Sequence, residues 1–128
     1  MAGGEGTRLR PLTSNAPKPM LPLVNRPMME HIVDLLRSHG IEDIVVTVAF
    51  MPNAIRNYFG DGSEFGVRMV YAAEETPLGT AGSVRNAMDE LDDTFLVISG
   101  DVLTDIDLTA LVTEHREREA LATIGLVR

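Results

Sequence analysis

A glycine-rich stretch near the amino end, AGGEGTRLRPLT at residues 2–13, and the following PKPMLP at residues 17–22 decide how the rest of the sequence is interpreted. Its three glycines, which fall within four positions, leave backbone N–H groups open to close approach by a polyanion. Arg8 and Lys18 add two positive charges to an otherwise acidic chain. Because prolines flank Lys18, we predict that its ammonium stands on a stiff, extended segment. Such a combination suits a triphosphate or a pyrophosphate.

Two familiar phosphate-binding motifs do not fit this stretch. A P-loop requires a Gly-Lys pair followed by Ser or Thr, whereas Arg8 and Leu9 follow Gly6 and Thr7 here. A dinucleotide-binding fingerprint requires its third glycine at the position that Leu9 occupies. On the glycines alone, a flexible surface loop with a solvated arginine explains the pattern at least as well.

Over its whole length, however, the stretch resembles the signature of the sugar-1-phosphate nucleotidyltransferases, also called nucleotide-sugar pyrophosphorylases. The match continues through PKPMLPLVNRPMMEHI at residues 17–32. Gly, Arg, Lys and Pro at these fixed spacings form a far more specific signal than a short glycine motif. Within that family the sequence is most similar to the mannose-1-phosphate guanylyltransferases, and further matches extend the resemblance over essentially the whole chain.

Composition narrows the possible functions. The chain has 128 residues, 45% of them hydrophobic, which is enough to bury the core of one domain. A net charge of −8 argues against a general nucleic-acid binder but not against a nucleotide held by a local cluster of cations. The absence of cysteine excludes disulfides and thiolate metal sites. Without a leader-like segment or a long apolar run, we expect a cytoplasmic protein with no membrane partner.

Helical and strand patterns alternate along the chain. We predict helices from Pro27 to Gly40, over 54–59, from about Thr80 to Leu91, and from a cap at Asp107 to about Glu119. We predict strands over 44–49, 67–72, 94–99 and 120–127, the first and third of them buried. This alternation is typical of an α/β fold with a mostly parallel sheet and helices on both faces.

The family resemblance makes the predicted fold more specific. It implies a Rossmann-like, glycosyltransferase-A-like sheet in which a buried strand precedes the glycine-rich loop. It also implies a catalytic domain that continues past Arg128, where most sugar contacts and a second metal-binding aspartate are expected. We therefore expect residues 1–128 to be the nucleotide-binding half of a catalytic domain, truncated at both ends.

A second candidate site is AAEETPLGTAG at residues 72–82. Composition alone favours an acidic connection between a strand and a helix, whereas the resemblance implies a loop in which Glu74 and the backbone at Gly79 meet the nucleobase. An ionised carboxylate only accepts hydrogen bonds, and guanine presents two adjacent donors where uracil and thymine present one N–H between carbonyls. Glutamate here therefore favours guanine. Two alternatives stay open: Glu75 is the reader, or Glu74 points to solvent.

Asp101 marks a third candidate site, just after the predicted strand at 94–99. Open α/β sheets bind ligands at the carboxyl ends of their strands, and a carboxylate there suits Mg²⁺. The resemblance assigns Asp101 to the metal, and an ordinary turn aspartate is the alternative. An EF-hand loop does not fit, because Ile106 and Val112 stand where its glycine and glutamate belong.

The resemblance implies nucleotidyl transfer from an NTP to a sugar 1-phosphate, giving an NDP-sugar and pyrophosphate, in the first instance GDP-mannose from GTP and mannose 1-phosphate. Arg8 would hold the departing phosphates, Lys18 would stabilise charge at the α-phosphate, and Asp101 would hold Mg²⁺. The implied nucleotide-binding residues are Ala2, Gly3, Gly4, Glu5, Gly6, Thr7, Glu74, Pro77, Gly79 and Thr80.

Two other functions remain open. One is a uridylyl- or thymidylyltransferase that acts on another sugar 1-phosphate. The other is a non-catalytic regulatory subunit that senses a nucleotide sugar, against which the joint presence of Arg8, Lys18 and Asp101 argues. No nucleic-acid partner is expected, and the sequence leaves a homo-oligomer open.

Overall fold

The computed structural model describes residues 1–4 and 6–126. Its strands are β1 (Pro22–Leu23), β2 (Arg26–Pro27), β3 (Asp43–Val48) and β4 (Arg68–Ala73). Its α-helices are α1 (Met28–Ser38), α2 (Pro52–Phe59), α3 (Gly79–Asn86) and α4 (Leu108–Glu117), and short 3₁₀ turns occur at Thr7–Leu9, Lys18–Met20, Ser63–Phe65 and Met88–Glu90. None of these helices is long and apolar enough to cross a membrane. All four predicted helices are confirmed, although α3 ends at Asn86 rather than near Leu91.

The two long strands form a parallel pair. β3 and β4 run in register from Asp43 beside Arg68 to Val48 beside Ala73, and α2 lies in the connection between them. The strands therefore end together, and their carboxyl ends share one edge. β1 and β2 form a small antiparallel hairpin that leads directly into α1 and that the sequence patterns did not predict.

The main core lies between this parallel pair and two helices. Alternate residues of β3 and β4 face it, and α1 and α2 cover them with Met29, Val33, Ile55 and Phe59. Val48 and Ile55 are completely buried. Since burying one such side chain stabilises a fold by about 1.5–3 kcal/mol, this layer fixes the carboxyl edge of the strands in place.

A second, smaller core joins α1 to α4. Ile32 and Leu36 of α1 pack on Leu108, the first residue of α4. Asp107 caps α4 as predicted, since its side chain accepts a hydrogen bond of 2.9 Å from the backbone N–H of Ala110. These contacts hold the segment that leads from Asp101 to α4 against the rest of the molecule.

The predicted buried strand at 94–99 is wrong. The segment forms no ladder among the described residues, and Phe95 and Val97 are 39% and 46% exposed. A strand requires a paired neighbour, and among the described residues the backbone hydrogen bonds of this segment go to Met1. The Met1 amine donates to the Ile98 carbonyl at 2.9 Å and the Gly100 N–H donates to the Met1 carbonyl at 2.8 Å. On the other side, the Ala2 N–H donates to the Thr47 carbonyl of β3 at 2.9 Å.

The predicted strand at 120–127 is also wrong for residues 120–126, and Val127 lies outside the described residues. Leu121, Ile124 and Leu126 are all largely exposed. Their apolar, partly β-branched pattern expresses strand propensity, but propensity produces a strand only where a pairing partner and a surface to pack on are present.

Candidate active site

The glycine-rich loop leaves the carboxyl edge of the sheet. Ala2 is buried and bonded to β3, and Gly3 and Gly4 carry the chain out of that contact. Gly6 has a positive φ of 61°, and a Cβ at that position would lie 2.9 Å from Thr13 Cγ2 and 3.2 Å from Lys18 Cβ. Buried Thr13 also donates from its hydroxyl to the Gly6 carbonyl at 2.9 Å. Glycine at position 6 therefore allows the loop to fold back on the segment that carries Lys18.

Neighbouring residues restrict the Lys18 backbone, but not in the extended conformation that the flanking prolines predicted. Pro17 and Pro19 are both buried, and Pro17 is extended. Lys18 itself opens a 3₁₀ turn, Lys18–Met20, so the prediction that it is extended is wrong. A proline is well tolerated in the first turn of a helix because its missing N–H has no partner there, and Pro19 occupies such a position. The stiffness comes from the buried rings and from the turn.

The Lys18 ammonium donates to Asp101 Oδ2 at 2.7 Å. The Ser99 hydroxyl donates to the other oxygen, Asp101 Oδ1. Burial, the largest single influence, raises the pKa of Asp101, but the hydrogen bonds from Lys18 and Ser99 and the Lys18 charge together outweigh it and hold the pKa below its ordinary value. Asp101 is therefore ionised at neutral pH.

These groups line a cleft of about 540 Å³, which we call the cationic cleft. It brings together seven of the predicted site residues: Ala2, Gly3, Gly4, Gly6, Arg8, Lys18 and Asp101. Arg8 lies in the turn Thr7–Leu9, is exposed, and pairs with no carboxylate among the described side chains. Thr7 is exposed and does not line the cleft, and the predicted residue Glu5 lies outside the described residues.

A second cleft of about 130 Å³, the carboxylate cleft, adjoins the first at Gly3. Its other lining residues are Ala49, Phe50, Glu74, Glu75, Thr76 and Pro77. Glu74 follows β4, where its N–H donates to the Val48 carbonyl at 2.8 Å. Its Oε2 accepts a bond of 3.2 Å from the Leu78 N–H. Its Oε1 is buried and has no partner within the described chain.

The Glu74 side chain is directed toward the glycine-rich loop. A Cβ placed on Gly3 would lie 3.6 Å from Glu74 Oε1. Glu74 therefore does not point to solvent, whereas Glu75 is exposed. Gly79 and Thr80 begin α3, are exposed, and line neither cleft.

Asp101 is the carboxylate of the cationic cleft that could bind Mg²⁺. No group of three or more His, Cys, Asp or Glu that could hold a metal occurs among residues 1–4 and 6–126. Mg²⁺ needs only one or two carboxylates when substrate phosphates supply further oxygens. A carboxylate offers about four lone-pair positions, and the side chains of Lys18 and Ser99 use two of those on Asp101. Asp101 therefore fits an ion shared with a phosphate ligand.

The lining residues that the sequence interpretation did not single out include Ala49, Phe50 and Ser99. Ala49 and Phe50 follow β3 directly, at the same edge as Glu74 after β4, so the rule that ligands bind at the carboxyl ends of parallel strands could have found them. Ser99 stands two residues before Asp101, and its contact with that carboxylate depends on the fold.

Comparison with known proteins assigns the chain to a family. Residues 1–128 match the family of nucleotidyl transferases, and the chain belongs to that family. A UTP–glucose-1-phosphate uridylyltransferase of Synechocystis is 43% identical over 136 residues, and the match covers 97% of this chain and 35% of that protein. A mannose-1-phosphate guanylyltransferase of Mycobacterium tuberculosis is also 43% identical, over 129 residues that cover all of this chain and 36% of the relative.

Solved structures confirm the α/β nucleotidyltransferase fold. A putative glucose-1-phosphate thymidylyltransferase from Bacillus anthracis superposes with a TM-score of 0.85 at 30% identity, covering 92% of this chain and 49% of that one. Of the two curated relatives described above, the chain spans little more than a third of the length of each.

Proposed function

We propose that residues 1–128 form the nucleotide-binding half of a sugar-1-phosphate nucleotidyltransferase. The observation that carries this proposal is the cationic cleft, in which a glycine loop, Arg8, and the Lys18–Asp101 pair at 2.7 Å surround one space. Exposed main chain and two cations at one cleft suit the phosphates of an NTP. A sugar 1-phosphate is the proposed acceptor, and pyrophosphate the proposed leaving group.

In the proposed mechanism the protein positions the reactants and neutralises charge, with no covalent nucleophile. The acceptor phosphate attacks the α-phosphorus in line with the departing pyrophosphate. Arg8, which has no internal carboxylate partner in the described chain, holds the departing phosphates. Lys18 turns from Asp101 to the charge that develops at the α-phosphate. Asp101 would hold Mg²⁺, which when bound would neutralise phosphate charge.

The nucleobase lies in the carboxylate cleft in this proposal, and GTP is the favoured nucleotide. Glu74 Oε1 is a buried acceptor without a partner among the described residues, and such an atom is stabilised by a ligand that donates a hydrogen bond. Guanine offers two adjacent donors, whereas the carbonyls of uracil would repel the carboxylate. Identity to relatives does not decide the base, because the guanylyltransferase and the uridylyltransferase described above are equally similar.

Mannose 1-phosphate is the acceptor we propose first, with uridylyl or thymidylyl transfer to another sugar phosphate as the alternative within the enzyme class. A sensor that only binds a nucleotide sugar has no need of cations for a leaving group. The joint presence of Arg8, Lys18 and Asp101 around one cleft therefore supports an enzyme over a regulatory subunit.

The test is a measurement of Mg²⁺-dependent pyrophosphate release by the full-length protein. GTP, UTP, dTTP and ATP are each paired with mannose 1-phosphate and with glucose 1-phosphate. Release confined to GTP with mannose 1-phosphate supports the reaction and the role of Glu74. Release with a pyrimidine nucleotide keeps the reaction and overturns the base assignment. No release in any pairing, with a GDP-sugar still bound, favours the regulatory subunit.

A further inference from the structure

Ser99 contacts the carboxylate that the proposed mechanism assigns to the metal. Its hydroxyl donates to Asp101 Oδ1, and Lys18 donates to Oδ2. The Asp101 carboxylate is thus held at both oxygens by two side chains that line the same cleft.

The backbone beneath this contact is closely packed. The Gly100 N–H, between Ser99 and Asp101, donates to the Met1 carbonyl at 2.8 Å. A Cβ on Gly100 would lie only 3.0 Å from that carbonyl oxygen. The backbone between Ser99 and Asp101 is therefore hydrogen-bonded to Met1, next to the start of the glycine-rich loop. This contact fixes the position of the backbone that carries both side chains.

When a phosphate binds in the cleft, the hydrogen bonds that Lys18 and Ser99 donate to Asp101 are affected differently. Lys18 must leave Oδ2 in order to face a phosphate, and Asp101 then loses one of its two side-chain donors. Ser99 is uncharged and has no comparable attraction to phosphate, so its bond to Oδ1 is retained. Partners of this kind, which hold a metal ligand without touching the metal, strongly affect metal affinity.

We propose that Ser99 is a positioning residue, which keeps the Asp101 carboxylate oriented toward the cleft while Lys18 exchanges that carboxylate for phosphate. This inference rests on the proposed function for its metal-dependent consequence. The resting contact of Ser99 with the Lys18–Asp101 pair does not depend on that function, and it supplies a separate measurement.

The first measurement is the Mg²⁺ concentration that gives half-maximal pyrophosphate release by the full-length protein. We expect S99A to raise it about tenfold. S99T keeps the hydroxyl, so its half-maximal Mg²⁺ concentration should lie close to that of the wild type. In D101N, the added S99A change should have no further effect. The matched control is S63A, because the Ser63 hydroxyl also bonds a carboxylate two residues away, Asp61 Oδ1 at 2.6 Å, in an exposed turn outside the clefts.

The second measurement needs neither metal nor nucleotide. Lys18 is the only lysine among these 128 residues, so its acetylation by acetic anhydride is easily followed by mass spectrometry of its peptide. Loss of an ion pair at a partly exposed site should speed labelling in D101N by about two- to fivefold. If Ser99 holds Asp101 beside Lys18, the labelling rate of Lys18 in S99A should lie between the rates in the wild type and in D101N. The rate in S63A should match that in the wild type.

Two outcomes would overturn the inference: S99A labels Lys18 at the wild-type rate, or its effect on the Mg²⁺ requirement persists in D101N. If no nucleotide gives pyrophosphate release, the proposed function fails, and the labelling rates alone decide whether Ser99 positions Asp101.

Discussion

The two clefts that meet at Gly3 differ in how their charged groups are satisfied. In the cationic cleft, Lys18 and Asp101 satisfy each other, so a ligand must replace an internal ion pair. In the carboxylate cleft, Glu74 Oε1 has no partner among the described residues. A ligand that reaches the Lys18–Asp101 pair exchanges one contact for another, which limits the gain in affinity there and favours interactions that form as charge develops. A ligand that enters the second satisfies a buried acceptor, which favours selective binding.

The largest effect expected from this contrast is that of K18A. Lys18 contributes mainly where charge develops, so turnover should fall about 100-fold or more while nucleotide affinity changes far less. Steady-state kinetics together with calorimetric titration of nucleotide measure the two separately. R68A, which removes a surface ion pair with Asp43 away from the clefts, is the control. A fall in affinity with unchanged turnover would show that Lys18 only binds.

The next largest effect is expected for E74Q, which is nearly isosteric. Its amide oxygen still accepts, but the charge is lost and an amide donor can face a carbonyl of uracil. The ratio of kcat/KM for GTP to that for UTP should fall about tenfold. E75Q, which changes the exposed neighbour, should leave the ratio unaltered. If E75Q shifts the ratio and E74Q does not, Glu75 is the reader.

A smaller effect is expected for the glycine-rich loop that joins the clefts. G6A imposes a side chain at a positive φ and against Thr13, and should lower the free energy of unfolding by about 1–3 kcal/mol. G4A is the control, because a Cβ on Gly4 would meet nothing within 4 Å. Chemical denaturation of each variant gives the comparison. Equal losses in both would mean that Gly6 is not needed for the close approach of Thr13 and Lys18.

The smallest effect is on pH dependence. Because the folded pKa of Asp101 lies below its unfolded value, the group stabilises the fold above about pH 3.9, and that contribution is lost as pH falls through the folded pKa. The difference in unfolding free energy between wild type and D101N should therefore be present at neutral pH and shrink in acid. Because the Lys18–Asp101 pair is partly exposed, we expect this difference in unfolding free energy to be under about 1 kcal/mol. A difference that grows in acid would contradict the assigned direction.

The helices could be predicted from sequence because their signals are local, whereas the strands predicted at 44–49 and 67–72 are found because each supplies the other's partner. The apolar stripe of α1 and the Asp107 cap of α4 need only neighbours along the chain, and both are found. The segment 94–99 carries an equally apolar pattern, but a strand depends on a pairing partner, and among the described residues its backbone bonds go only to Met1. Lys18 itself is extended in the prediction and helical in the structure because Pro19 tolerates the first turn of a 3₁₀ helix.

The candidate site follows the same division. The family resemblance places Lys18 and Asp101 in one site, but their direct pairing across 83 residues, and the Ser99 hydroxyl on the same carboxylate, depend on the fold. The direction of the Glu74 side chain likewise could not be read from composition. It depends on the close approach of Gly3 to the end of β4.

The most direct test of the account is whether the two clefts divide the nucleotide between them. Calorimetric titration of the full-length protein with inorganic pyrophosphate and with GTP, in Mg²⁺, should show that R8A weakens the binding of both ligands. E74Q should weaken the binding of GTP and leave the binding of pyrophosphate unchanged, because only the base reaches the carboxylate cleft. Equal weakening of pyrophosphate and GTP by E74Q would contradict this division.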